Sequence, residues 1–149
     1  MAAADPPVFA LDTNCMVAAV CTWHEHHGPA VREIERRLGR GERLAVPAPA
    51  LVEAYAVLTR LPSPHRLSAA DAWTVIAANF VEDAALVALT GPMYARLLAT
   101  LAREGIAGGR AYDAVIAEAA RAAKADVLLT FNRRHFEPPP EGAAVVEPR

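Results

Sequence analysis

Lysine is almost missing from this chain: Lys124 stands alone among 15 basic residues, and the other fourteen are arginine. With 17 acids the formal charge is −2, so net charge alone excludes a protein that holds nucleic acid by bulk attraction, while local basic patches stay open. Cysteine is as scarce, with Cys15 and Cys21 only. Six positions apart on one helix, they point roughly 240° apart. That spacing excludes a disulfide between them and fits two thiols in a reducing compartment. No apolar run approaches the roughly 18 residues that span a bilayer. The first seven residues lack the basic start and apolar stretch of a signal peptide. A cytoplasmic protein with no membrane contact is expected. Also missing are the Gly-x-Gly-x-x-Gly turn, the Gly-Lys-Ser/Thr phosphate loop and the His-Glu-x-x-His zinc pattern.

What is abundant is alanine, 34 residues against 36 of Leu, Ile, Val and Phe together. Such a chain is too apolar for disorder, and its small side chains favour helices packed at close range. Short apolar runs read as strands at Val8 to Leu11, Arg43 to Val46, Ala85 to Leu89, Asp126 to Thr130 and Ala143 to Val146. Helical patterns lie between them: Asn14 to about Cys21, Gly28 to Gly39, Ala50 to Arg60, Ser68 to Phe80, Gly91 to Arg103 and Ala111 to Lys124. Strands that alternate with helices predict an α/β fold, a three-layer sandwich with a mainly parallel sheet of four to five strands flanked by helices. No internal repeat or linker divides the chain, so residues 1–149 are expected to form one domain with residues 1–7 loose. In such sheets ligands collect at the carboxyl ends of strands, which directs attention to polar residues just beyond the apolar runs.

Asp12 follows Phe9-Ala10-Leu11 directly, either as an ordinary helix cap or as a carboxylate held in a crevice. Glu53 is a lone acid in the apolar turn Ala50 to Tyr55; it either reaches solvent, meets a cation or has a raised pKa. Asp113 sits at a helix start, where the macrodipole alone favours an acid. Asn132 follows Leu128-Leu129-Thr130-Phe131, where a turn residue is unremarkable. Taken together, three acids and an amide at strand ends and helix starts make a set of oxygen donors suited to Mg²⁺ or Mn²⁺. A hard cation held so generates a water nucleophile and neutralises charge on a phosphodiester. Arg110, Arg133 and Arg134 flank these positions and offer planar forks for phosphate, or are ordinary surface arginines.

With those residues the chain resembles the PIN-domain ribonucleases, most closely the VapC toxins of bacterial toxin–antitoxin pairs. The resemblance runs through Leu11-Asp12-Thr13-Asn14, Leu51-Val52-Glu53, the segment Gly108-Gly109-Arg110-Ala111-Tyr112-Asp113-Ala114-Val115-Ile116-Ala117, and Leu128-Leu129-Thr130-Phe131-Asn132-Arg133-Arg134-His135-Phe136, covering about Val8 to Val146. It implies a metal-dependent endoribonuclease fold with an acidic cluster, RNA as substrate, products with a 5′-phosphate and a 3′-hydroxyl, a VapB-like antitoxin as inhibitor, and a homodimer. Carried over by position, Asp12 and Asp113 are the metal ligands and Glu53 the third acid. Asn132 stands where a fourth acid is common, and its amide brings an oxygen without a charge.

The cluster Trp23-His24-Glu25-His26-His27 invites a zinc reading, but no cysteine lies near to complete one, and a polar turn before a helix accounts for it better, with lining of the substrate groove as the other option. Tyr55 and Tyr112 each neighbour a candidate acid, yet their helical spacing favours packing. A haloacid dehalogenase phosphatase needs a second acid two positions after the first, where Asn14 stands. The rival from another class is a PIN-like module that binds RNA or protein without cutting, which Asn132 favours and the three acids oppose.

Overall fold

A computed structural model describes residues 3–149. Five strands, β1 (Val8–Leu11), β2 (Arg43–Pro47), β3 (Ala85–Val87), β4 (Val127–Leu129) and β5 (Ala144–Val146), form one sheet in the order β3-β2-β1-β4-β5. Every pairing is parallel, as the alternation with helices required. The helices are α1 (Thr13–Val20), α2 (His27–Gly39), α3 (Ala48–Arg60), α4 (Ala69–Phe80), α5 (Gly91–Glu104) and α6 (Arg110–Ala122).

The middle of the sheet is dry. β1 sets Phe9 against Leu44 on one side and Val127 on the other. Phe9, Ala10 and Leu11 are wholly buried, because helices cover a parallel sheet on its faces. Alanine does what its abundance predicts: Ala50, Ala54, Ala72, Ala119 and Ala120 are buried contact points that let α3, α4 and α6 approach closely. Phe80, Leu58, Met16 and Ile116 fill the larger spaces. One buried charged cluster breaks this pattern. On α2, Arg37 donates to Glu33 at 2.8 Å and to Glu42 at 3.2 Å, with its guanidinium 6.0 Å from the Phe9 ring.

Several boundaries differ from the sequence reading, each for a local reason. α3 begins two residues early because Pro49 fits a first helical turn, where its missing N–H is not needed. α6 stops at Ala122, and Lys124 takes a positive φ of 55° that ends the helix. β3 closes at Val87 and lies at the sheet edge, which leaves Leu86 47% exposed despite its apolar run. A 3-10 helix over Arg133–Phe136, absent from the sequence reading, buries Phe136. Of the expected loose start at 1–7, residues 1 and 2 lie outside the described residues. Residues 3–7 are irregular and exposed, yet the Pro7 carbonyl already accepts from Arg43 N at 2.8 Å. Both cysteines are buried and free. Among the described residues no helix is long and apolar enough to cross a membrane.

Candidate active site

The strand order places the connections from β1 and β4 on opposite sides of a reversal point, where a parallel sheet opens a crevice at its carboxyl ends. Asp12 caps α1 at that point. Its backbone N–H donates to the Leu129 carbonyl at 2.9 Å, which ties the end of β1 to β4. Its Oδ1 accepts from the Thr13 N–H at 2.8 Å, and its Oδ2 accepts from the Thr130 hydroxyl at 2.7 Å. Asp12 is only 5% exposed. Burial pushes its pKa up to about 6, the charges of Asp113 and Glu53 add to the rise, and the two hydrogen bonds oppose it without cancelling it.

Thr130 organises this corner. Besides donating to Asp12, its hydroxyl accepts from Asn14 Nδ2 at 3.2 Å and from the Asn132 N–H at 2.9 Å, so its one proton and two lone pairs are all engaged. Asn14 also accepts from the Phe131 N–H at 3.2 Å. None of these partners was singled out from sequence except Asn132. The signal was present, since a hydroxyl at the end of a buried run such as Leu128-Leu129-Thr130 must find partners.

The other acids arrive from separate elements. α3 starts at the carboxyl end of β2 and carries Glu53 in its second turn. There it is exposed, and its Oε2 accepts from the Thr13 hydroxyl at 3.0 Å. Of the options open in sequence, Glu53 therefore reaches solvent. α6 runs against the strands, so its first turn and Asp113 lie at the same edge. Asp113 Oδ2 is 3.2 Å from His135 Nδ1. Burial raises the Asp113 pKa and Glu53 adds to it, with His135 and Arg110 opposing; the helix macrodipole does not decide the sign here. Asp12, Asn14, His24, Glu53, Asp113 and Asn132 line one cleft of about 260 Å³. A larger cavity of about 670 Å³, lined by Val52, Ala56, Tyr94 and Tyr112, has Glu53 on its wall; it is mainly apolar and lacks the convergence of acids.

The arginines part company. Arg110 shares a groove with Asp113 and His135. Arg133 instead opens onto a separate cavity with Glu33, Arg36, Glu147 and Arg149, and Arg134 is exposed outside the cleft lining. The histidine turn contributes His24 to the cleft.

Among the described residues no three His, Cys, Asp or Glu side chains converge closely enough to hold a metal by themselves. The acids are spread along the cleft, near enough for the charges of Glu53 and Asp113 to lift the Asp12 pKa but too far apart for a closed cage. Mg²⁺ keeps several waters and takes only one or two protein carboxylates, so this donor set fits a hydrated hard cation and does not fit a structural zinc site.

Comparison with known proteins agrees with this architecture. The profile of the PIN domain matches residues 9–139, and the chain belongs to the PIN domain family. Within it, the chain is 40% identical to Ribonuclease VapC40 of Mycobacterium tuberculosis over 130 residues, 87% of this chain and 90% of that protein. It is 33% identical to Ribonuclease VapC27 of the same organism over 121 residues, 81% of this chain and 82% of that one. Among solved structures, VapBC2 from Rickettsia felis, bound to a DNA fragment from its promoter, has the same fold with a TM-score of 0.67 at 19% identity, covering 95% of this chain and 99% of that one.

Proposed function

We propose that this chain, as a single domain over residues 1–149, is a Mg²⁺- or Mn²⁺-dependent endoribonuclease and the toxin of a cytoplasmic toxin–antitoxin pair. The observation that carries the reading is the meeting of Asp12, Glu53, Asp113 and Asn132, from four distant segments, in one cleft. Kinship with the VapC ribonucleases supports RNA as the substrate.

Asp12 and Asp113 would hold the cation. When bound, it polarises the phosphodiester and makes water a nucleophile near neutral pH. The chain's own residues supply the rest. Thr130 and the Thr13 N–H fix both Asp12 oxygens, so that carboxylate does not swing. Thr13 holds one Glu53 oxygen and leaves the other to orient a water or take its proton. His135 steadies Asp113. Arg110, beside Asp113, counters phosphate charge, with Arg134 further out along the backbone of the RNA, while Arg133 faces the separate cavity of Glu33 and Glu147 and takes no part. Asn132 gives the cleft an uncharged oxygen donor.

The partner is a VapB-like antitoxin that sets a basic side chain into the acid cleft. The apolar cavity beside Glu53, with Val52 70% and Tyr112 71% exposed, suits the rest of its segment. The chain acts as a homodimer. A second reading, a module that binds RNA without cutting it, draws on Asn132 and on the dispersed acids. A labelled RNA incubated with Mg²⁺, with EDTA, and with an Asp113→Asn variant separates the two. Cleavage that needs Mg²⁺ and falls at least about 100-fold in the variant is expected; undiminished cleavage in the variant overturns the mechanism, and binding without cleavage selects the module.

A further inference from the structure

The turn over residues 21–26 carries three rings that the acid chemistry does not use. Two helical hairpins, α1 with α2 and α3 with α4, leave the sheet at the carboxyl ends of β1 and β2, and their tips meet. Trp23 stacks on His65, from the turn after α3, with centroids 4.2 Å apart and planes at 24°. His24 lies 5.8 Å from Trp23 and itself lines the acid cleft. His26 lies 5.6 Å further on and stacks on Phe131 at 4.3 Å and 14°. Five rings thus run along one rim of the cleft. Phe131 anchors the row to the core, but core packing does not explain its outer end, since Trp23 leaves 47% of its surface in solvent and His65 is exposed.

We propose that this row, with Trp23 at its exposed end backed by His65, is the platform on which an unpaired base of the substrate RNA stacks beside the scissile phosphate. The inference rests on the ribonuclease reading and deepens it. Among the described residues no arginine or lysine lines the acid cleft itself, so affinity there needs uncharged contacts beside the flanking Arg110. Base stacking on aromatic rings supplies it without regard to sequence, because every base has a π-face. Burial and the nearby His26 lower the His24 pKa, which keeps that ring neutral at neutral pH. Since His24 belongs both to the row and to the cleft wall, a base on Trp23 sits one ring away from the acids. Bases in a duplex are already stacked and paired, so the platform selects single strands.

Trp73 is the other of the chain's two tryptophans, so Trp73→Phe leaves Trp23 as the only indole fluorophore. In EDTA, where cutting is blocked, this variant is titrated with a short single-stranded oligoribonucleotide, an abasic strand of equal length, and the duplex. Saturable quenching by the single strand, and little by the other two, is expected. Against the wild type, Trp23→Ala should weaken single-strand binding about 5- to 150-fold by fluorescence anisotropy, while Trp23→Phe keeps most of it. Equal quenching by the abasic strand, or Trp23→Ala binding within twofold of wild type, overturns the platform. If Trp23→Ala fails to fold, Trp23→Leu against Trp23→Phe carries the comparison, and equal binding refutes the proposal. Mg²⁺-dependent cleavage without Trp23-dependent binding sinks this inference alone; Trp23-dependent binding without any cleavage sinks the ribonuclease reading and leaves the platform standing.

Discussion

Asp12→Asn should make the metal-free protein more stable at pH 7 and leave its stability nearly unchanged at pH 4. In the folded chain burial lifts the Asp12 pKa from 3.8 to about 6, so the native state holds that proton more tightly than the unfolded chain does. The stabilisation from this proton is full below about pH 4 and is lost as the pH rises through about 6. Two pKa units correspond to about 3 kcal/mol of strain from keeping the carboxylate ionised at pH 7. Asparagine removes that strain but cannot reproduce the hydrogen bonds. One Asp12 oxygen accepts from the Thr13 N–H and the other from Thr130, and an amide has a single acceptor. Nor can its NH₂ donate to Thr130, whose lone pairs already serve Asn14 and Asn132. The protonated carboxyl, with one carbonyl oxygen and one hydroxyl, has the same single acceptor, so asparagine stands in for the protonated form and this loss cancels below the folded pKa. The variant should therefore gain about 3 kcal/mol at pH 7 and differ little from the wild type at pH 4. Urea unfolding in EDTA at half-unit steps of pH reads the difference directly. A stability difference that stays flat from pH 4 to 7 would refute the account of Asp12 as a carboxylate held ionised against its surroundings.

Mg²⁺ at about 100 times its Kd should stabilise the wild type by about 2.7 kcal/mol, seen as a rise in Tm, and should leave Asp113→Asn nearly unmoved; equal rises would place the ion elsewhere. Thr130→Val, which leaves Asn14 Nδ2 and the Asn132 N–H without an acceptor, should cost about 1–3 kcal/mol in urea and slow RNA cleavage, and an unchanged protein would mean that the corner does not position Asp12. Asn132→Asp adds a charge to the cleft and should lower the Mg²⁺ midpoint for cleavage roughly fivefold or more; a higher midpoint would show that the amide is already the better ligand. Arg37→Ala takes the buried guanidinium from Glu33 and Glu42 and leaves them only the more exposed Arg36 and Arg40; it should destabilise by about 1–3 kcal/mol without touching cleavage by the folded fraction.

The fold was legible because its signals are local and agree with one another. Each buried run in β1, β2 and β4 is bounded by polar or proline residues, and each connection is long enough for a crossover, so a parallel sheet was the one arrangement that used them all. The failures come where tertiary placement decides. Nothing in Ala85-Leu86-Val87-Ala88-Leu89 tells a central strand from an edge strand; only the order β3-β2-β1-β4-β5 leaves Leu86 in solvent. The Arg133–Phe136 turn has no apolar period, yet it forms because Phe136 buries itself and brings His135 to Asp113.

The site divides along the same line. Asp12 and Asn132 were visible as polar residues just past apolar runs, and Asp113 and Glu53 as acids near helix starts, because the carboxyl edge of a parallel sheet gathers such positions whatever their distance in sequence. The side chains that hold them were not, since Thr13, Asn14 and Thr130 look like ordinary turn and capping residues until β1 and β4 lie side by side. Arg133 shows the converse. Its neighbours in sequence put it beside the acids, but the 3-10 turn aims it at the cavity of Glu33 and Glu147 instead. Position along a strand thus forecasts which edge a residue reaches, and the direction of the side chain at that edge is settled by contacts across strands. That is why the positioning threonines are the residues on which mutation should reveal most about the cleft.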